Sequence, residues 1–120
     1  MISCLFVAIG GAVGAVARYL VGLLPVSPQN GFPVKTLAIN VSGAFLIGII
    51  AAAAEKHSVN PNLVLLLKVG VCGGFTTFST FALETTQLME RGSHFLAFAY
   101  ICTSVIFSVA AVFASQALIH

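Results

Sequence analysis

Residues 73–84 read GGFTTFSTFALE and place glycines and hydroxyl groups within a long apolar stretch. Two glycines followed by the β-branched Thr76 and Thr77 make a poor helix centre, because glycine loosens the backbone and threonine is conformationally restricted. One interpretation is a local break, whose freed carbonyl groups must be satisfied by protein, water or a cation. The other is an unbroken helix that packs closely against a neighbour through Gly70 and Gly74.

The residues that follow the glycines line up if the helix resumes there. Successive helical residues turn by about 100°, so Thr77, Thr80 and Glu84 fall on one narrow face. Phe78 and Phe81 lie along the flank of that face. Hydroxyl groups and aromatic ring edges would therefore border the same strip, although ordinary core packing also explains phenylalanines at this spacing.

The composition places this stretch in a membrane. Of 120 residues, 59% are hydrophobic and 7% are charged, whereas soluble domains carry about a quarter charged residues. The net charge of +2 is scattered, with no basic run, phosphate-binding glycine loop or acidic cluster. The sequence therefore indicates an integral membrane protein and favours neither an enzyme nor a nucleic-acid-binding protein.

Polar and proline-rich interruptions divide the chain into helices long enough to span a bilayer. The predicted spans, within a single membrane domain covering residues 1–120, are residues 3–24, 34–54, 63–91 and 95–119. The connecting segments include PVSPQNGFP and EKHSVNPN, which end helices and return the chain to water. We expect the first span to be a retained helix rather than a signal peptide, and both termini to lie on one side.

Positive residues give almost no orientation signal. Lys56 and Lys68 belong to the side of the termini, against Arg18, Lys35 and Arg91 on the other side. Such a near tie predicts insertion in both orientations, which would allow antiparallel assembly, but one extra charge can also fix a single orientation. Assembly itself is expected, because four helices are too few to shield a polar path from lipid.

Polar stripes also occur on two other spans. They comprise Thr36, Asn40 and Gly43 in the second span, and Tyr100, Ser104 and Ser108 in the fourth, where the row stops at Val112. Polar groups at this depth either join helices or line a path. Asn40 could do either, as interhelical glue or as a donor to an anion. Neutral donors suit a small dehydrated anion better than a metal cation, which needs oxygen acceptors.

The cysteines and histidines show no ligand spacing. The cysteines are Cys4, Cys72 and Cys102, each flanked by apolar residues, and are expected to pack between helices rather than form a disulfide or a zinc site. The histidines are His57, His94 and His120, which fall near loops or the terminus and are expected to be solvated.

Three motifs carry a resemblance to a known family. Residues 10–19 read GGAVGAVARY, residues 36–43 read TLAINVSG, and residues 70–81 read GVCGGFTTFSTF. These segments resemble, in order, the successive signatures of the Fluc (CrcB) family of bacterial fluoride channels. The resemblance covers three of the four predicted helices, and the total length also fits.

The resemblance implies an all-α membrane protein whose third helix is broken. Family members are passive fluoride channels of the bacterial cytoplasmic (inner) membrane, built as antiparallel, dual-topology homodimers with two pores. The expected partners are therefore fluoride, the lipid bilayer and a second copy of the chain, with no nucleic acid. The expected function is fluoride efflux and so fluoride resistance, without enzymatic activity.

The resemblance also assigns residues. The residues matching the fluoride pore are Asn40, Phe78, Phe81, Ser79, Thr80, Tyr100, Ser104, Ser108, Thr36 and Glu84, and Arg18 matches the vestibule arginine. A structural sodium ion on the dimer two-fold would be bound by the backbone carbonyls of Gly73 and Thr76 from both subunits. Val112 departs from the pattern, because continuing the polar row would require a hydroxyl group there.

Two other classes of protein share some of these features. A small four-helix, proton-coupled multidrug transporter can also insert both ways, but it carries a glutamate in its first span, where this chain has no acidic residue. A purely structural membrane subunit would explain the glycines and the apolar packing. It would not predict that Asn40, Phe78 and Phe81 affect ion flux while assembly stays intact.

Overall fold

A computed structural model describes residues 1–119, which are helical apart from their connections. The elements are α1 (Ile2–Gly22), α2 (Val34–Lys56), α3 (Pro61–Val64), a π-helical segment (Leu65–Cys72), α4 (Gly73–Phe75), α5 (Phe78–Glu90) and α6 (His94–Ile119). Four stretches are long and apolar enough to cross a membrane: Ile2–Gly22, Val34–Lys56, Pro61–Glu90 and His94–Ile119. The prediction of an all-helical protein with four spans is confirmed.

The third span is not one regular α-helix. The π-helical segment Leu65–Cys72 leads into the single turn α4, after which Thr76 and Thr77 adopt extended conformations. Helix α5 then begins at Phe78, where the Thr77 hydroxyl accepts a hydrogen bond from the Thr80 amide as an N-cap.

Glycines bring α1 against the third span. A Cβ atom built on Gly10 would collide with the Leu66 carbonyl, and one built on Gly14 would collide with the Val71 carbonyl. From the other side, a Cβ on Gly74 would lie 2.6 Å from the Gly11 carbonyl oxygen. The two helices therefore approach backbone to backbone, as small residues permit in membrane helix pairs.

Helix α2 packs against α6 in a second close pair. Ser115 is fully buried there and donates a hydrogen bond to the Val112 carbonyl of its own helix at 3.0 Å. A Cβ on Gly48 would collide with the Ser115 hydroxyl. Gly48 thus makes room for Ser115, and Val112 belongs to this packed contact.

One end of the bundle carries both termini. The Ser3 hydroxyl of α1 donates to the Asn62 side chain at 2.9 Å, and the Lys56 ammonium donates to the Ile119 carbonyl at 2.9 Å. The start of α1, the end of α2, the start of the third span and the end of α6 therefore lie at the same end.

The opposite end is formed by the α1–α2 loop and the α5–α6 turn. The Lys35 ammonium donates to the Gly22 carbonyl at 2.9 Å and to the Leu24 carbonyl at 3.3 Å, closing the C-terminus of α1. Gly31 has a positive φ of 81°, and a Cβ there would lie 2.5 Å from the Arg91 guanidinium. The loop is therefore held against the turn.

Much of the lateral surface is apolar, including Phe95 and Phe113, which are 80% and 71% exposed. His57 and His94 are exposed, as expected for solvated residues, and His120 lies outside the described residues. The packing expectation for the cysteines holds for the buried Cys72. It fails for Cys4, which is exposed on α1 and not packed within this chain.

Candidate functional site

Two cavities share Thr77 as a lining residue. The first, here called the wide cavity, has a volume of about 830 Å³ and opens among loop residues such as Ser27 and Gly31. The second, the narrow cavity, has a volume of about 460 Å³ and lies between α2, the third span and α6.

The wide cavity carries an excess of positive charge. Arg18, Lys35 and Arg91 line it, against Glu84 and Glu90. Three cations against two carboxylates, in a cleft with apolar walls, raise the local concentration of anions. Of these three cations, the resemblance assigned only Arg18; Lys35 lies in the first turn of α2, and Arg91 directly follows α5.

The carboxylate of Glu84 is held by two hydroxyl groups. Thr36 donates to one oxygen at 3.0 Å and Tyr100 donates to the other at 2.8 Å. Tyr100 is fully buried, and Thr36 is also buried. Three residues that the resemblance assigned to the pore are therefore brought together, one each from α2, α5 and α6.

Aromatic rings form a continuous row beside these hydroxyl groups. The ring centroids of Phe78 and Phe81 are 5.6 Å apart, and those of Phe81 and Tyr100 are 5.0 Å apart. Phe32, from the α1–α2 loop, meets Tyr100 edge to face at 5.6 Å. Sequence reasoning missed Phe32, because an apolar residue in a proline-rich loop gives no signal of a contact with the fourth span.

Asn40 is joined to Thr77 at both ends of its amide group. The Asn40 amide nitrogen donates to the Thr77 carbonyl at 3.0 Å, and the Thr77 backbone N–H donates to the Asn40 oxygen at 2.8 Å. Asn40 also lines the narrow cavity. The sequence offered this side chain as interhelical glue or as a donor to an anion; its contacts join α2 to the extended residues of the third span.

Two serines of α6 belong to the wall of the narrow cavity. Ser104 and Ser108 line it, together with Phe78 and Phe81. The Ser104 hydroxyl is buried and has no hydrogen-bond partner within residues 1–119.

Backbone carbonyls around the extended residues differ in their partners. The Gly74 carbonyl accepts from the Arg18 Nε–H at 3.2 Å, and the Thr77 carbonyl accepts from Asn40. Across residues 1–119, no hydrogen bond ends on the carbonyl oxygens of Gly73 or Thr76. These two carbonyls are the pair that the resemblance assigned to sodium.

Three residues assigned to the pore differ from this arrangement. Tyr100 is fully buried and lines neither cavity. Ser79 is exposed and lines neither cavity. Phe78 lines the narrow cavity, but its side chain is 78% exposed on the surface of the chain. The wall of the narrow cavity is therefore open to the outside of the chain at this point.

Comparison with known proteins gives consistent relatives. Residues 5–116 match the family described as CrcB-like protein, Camphor Resistance (CrcB). A protein of Agrobacterium fabrum named fluoride-specific ion channel FluC is 46% identical, covering 98% of this chain and 96% of the relative. Proteins of the same name from Rhizobium etli and Nitrobacter winogradskyi are 47% and 50% identical, covering 100% and 92% of this chain and 98% and 89% of those relatives.

Proposed function

This chain belongs to the CrcB family, and we propose that it is a fluoride-selective channel through which cytoplasmic fluoride leaves the cell down its electrochemical gradient. It is a multi-pass protein of the bacterial inner membrane. The observation that carries the proposal is that Thr77 lines both cavities, the wide one with its cationic side chains and the narrow one with Asn40, Ser104 and Ser108.

Entry uses the wide cavity. Its cationic side chains attract a hydrated anion without binding it tightly, because the cavity is open to water and two carboxylates offset part of the charge. The Glu84 carboxylate is held in a fixed position, since both of its oxygens accept hydrogen bonds. Fluoride then reaches the Thr77 and Thr80 hydroxyl groups at the inner end of the cavity.

Selection takes place in the narrow cavity. Fluoride is small and holds water tightly, so a selective path must replace that water with closely placed donors. Ser104, Ser108 and the remaining N–H of Asn40 supply such donors. The edges of the Phe78 and Phe81 rings are positively polarised and add weaker contacts. A larger chloride ion cannot approach all of these groups at once.

A second copy of the chain, in the opposite orientation, completes the path in this proposal. The Phe78 ring is exposed, and the narrow cavity is open on the same side of the chain. In a bilayer this side must be covered by protein, because exposing a polar path to acyl chains costs free energy. The near balance of positive residues between the two ends supports insertion both ways. The assembly would be an antiparallel homodimer with two pores.

A structural sodium ion fits the carbonyls of Gly73 and Thr76. Both oxygens lack a hydrogen-bond donor within the described residues, and Gly73 is exposed on the surface proposed for the second copy. When bound, sodium would neutralise carbonyl dipoles from two subunits.

The test is fluoride release from liposomes that contain the purified chain, measured with a fluoride electrode. We expect rapid fluoride release and little chloride release from matched vesicles. Phe81→Ile and Asn40→Asp should slow fluoride release strongly, while Phe113→Ile, which makes the same change at an exposed ring of α6, should leave it unchanged.

Each variant is first checked for folding and for its oligomeric state by size-exclusion chromatography. The absence of fluoride release from well-folded protein would contradict the channel. Equal loss of flux in Phe81→Ile and Phe113→Ile would contradict the placement of the pore in the narrow cavity.

A further inference from the structure

The extended residues Thr76 and Thr77 interrupt the hydrogen bonding of the third span. Thr76 has φ −83° and ψ 156°, and Thr77 has φ −149° and ψ 122°. In a continuous α-helix each N–H donates to the carbonyl four residues earlier. The Thr77 N–H cannot do so here, and it donates to a side chain of another helix instead.

Asn40 replaces the lost helical partners on both sides of Thr77. Its amide oxygen accepts from the Thr77 N–H at 2.8 Å, and its amide nitrogen donates to the Thr77 carbonyl at 3.0 Å. A carboxamide can form this pair of bonds to one peptide strand because it carries an acceptor and a donor side by side. Leaving those backbone groups unpaired in a membrane interior would be costly.

Two further contacts hold the flanking residues. A Cβ on Gly43, one helical turn after Asn40, would collide with the Thr76 methyl group, so Gly43 forms the recess that receives Thr76. Arg18 donates its Nε–H to the Gly74 carbonyl at 3.2 Å. Helices α1 and α2 of the same chain therefore contact the segment on both sides.

We infer that Asn40 is a positioning residue, and that α1 and α2 set the extended shape of Thr76–Thr77 within a single chain. The shape then exists before any cation or second copy of the chain binds. The alternative is that a bound cation, or the partner, draws the segment out of helical conformation. The inference concerns the backbone and holds whether or not the chain conducts fluoride.

This role accounts for the position of the aromatic residue that follows. Phe78 comes directly after Thr77, so the Asn40–Thr77 pair determines where α5 begins and where the Phe78 ring stands. One N–H of the Asn40 amide is used in the bond to Thr77, and the second is left for a ligand in the narrow cavity. Positioning and ligand binding are therefore separable.

The inference is tested by amide hydrogen exchange of this 120-residue chain in detergent. Fluoride is left out, and sodium is replaced by N-methyl-D-glucamine. The Thr77 amide should be protected in the starting protein. In Asn40→Ala it should exchange about tenfold faster or more, because both bonds to the peptide are lost. Asn40→Asp keeps an acceptor for the Thr77 N–H and should retain most of the protection.

The matched control is Ser42→Ala, which removes a hydroxyl on α2 that bonds only to the Ile39 carbonyl of its own helix. Unchanged Thr77 exchange in Asn40→Ala, or protection of the starting protein only when sodium is added, would overturn the inference. If Asn40→Ala fails to fold, Gly43→Ala decides the matter. The inference is supported if the Thr77 amide exchanges faster in Gly43→Ala and the added Thr76→Ser substitution returns its exchange rate to the starting value. An unchanged exchange rate of the Thr77 amide in Gly43→Ala refutes the inference.

Discussion

The Tyr100 hydroxyl donates a 2.8 Å hydrogen bond to the carboxylate of Glu84, joining α6 to α5 at the wall of the wide cavity. Thr36 of α2 donates to the other carboxylate oxygen, so one acidic side chain joins three helices. This junction is made of residues 36, 84 and 100, and it forms only when the bundle is correctly packed.

Removing the phenol of Tyr100 should therefore weaken the bundle. We expect Tyr100→Phe to lower the free energy of unfolding by about 1–2 kcal/mol, because Glu84 loses one of its two donors. The measurement is thermal unfolding in detergent followed by circular dichroism. Tyr19→Phe is the control, since Tyr19 is 65% exposed, and an equal shift in both variants would contradict the prediction.

The close approach of α1 to the third span predicts a sharp difference between neighbouring glycines. Gly10→Ala should destabilise the protein by about 1–3 kcal/mol, because the added methyl group meets the Leu66 carbonyl. Gly11→Ala, one residue later, meets nothing within 4 Å and should be nearly neutral. Similar unfolding temperatures for the two variants would show that the helices do not pack in this way.

The recess at Gly43 predicts a pair of substitutions that compensate. Gly43→Ala should slow fluoride release from liposomes, because its methyl group displaces Thr76 and with it the wall of the narrow cavity. Thr76→Ser removes the colliding methyl group and keeps the hydroxyl that donates to the Cys72 carbonyl at 2.8 Å. The double variant should regain most of the flux, and a double variant as slow as Gly43→Ala would contradict the mechanism.

Insertion in both orientations can be counted directly. The three native cysteines are first replaced, and a single cysteine is then introduced at one end of the molecule by Ser27→Cys or at the other end by Ser58→Cys. In each variant, about half of the molecules should react with a membrane-impermeant maleimide. Lys56→Gln leaves one positive residue against three, so Ser27→Cys should then be labelled in well under half. Complete labelling at one end of the starting chain would establish a single orientation.

Sodium removal should destabilise the assembled protein. If the Gly73 and Thr76 carbonyls bind sodium, a concentration one hundred times the dissociation constant adds about 2.7 kcal/mol of stability. The unfolding temperature should fall when sodium is exchanged for N-methyl-D-glucamine and recover when sodium returns. An unfolding temperature independent of sodium would argue against the ion.

The four spans were predictable because bilayer thickness demands about 20 apolar residues, and prolines and polar residues mark where each run stops. The grouping of Thr36 and Glu84 was partly predictable, since helical spacing places each on a polar face. Helical spacing alone did not relate Tyr100 to Glu84. Their meeting depends on how three helices are rotated against one another, which a single helix pattern does not determine.

Other features depend on distant contacts. The bond between Asn40 and Thr77 joins residues 37 apart in the chain, and the sequence indicated a polar group at each place without indicating that they pair. The glycine spacing suggested close packing, but not that α1 is the neighbour. Ser79 shows the limit of motif transfer, because it stands among pore-assigned residues yet faces away from both cavities in this chain.

The order of synthesis gives the Asn40–Thr77 contact a further meaning. Arg18, Asn40 and Gly43 all precede Thr76 in the chain, so they leave the ribosome first, in helices that insert before the third span is complete. The residues that contact Thr76 and Thr77 are therefore already present when the third span enters the bilayer. Each newly made chain can acquire the extended conformation of Thr76 and Thr77 during biogenesis, in either orientation and before a second copy binds.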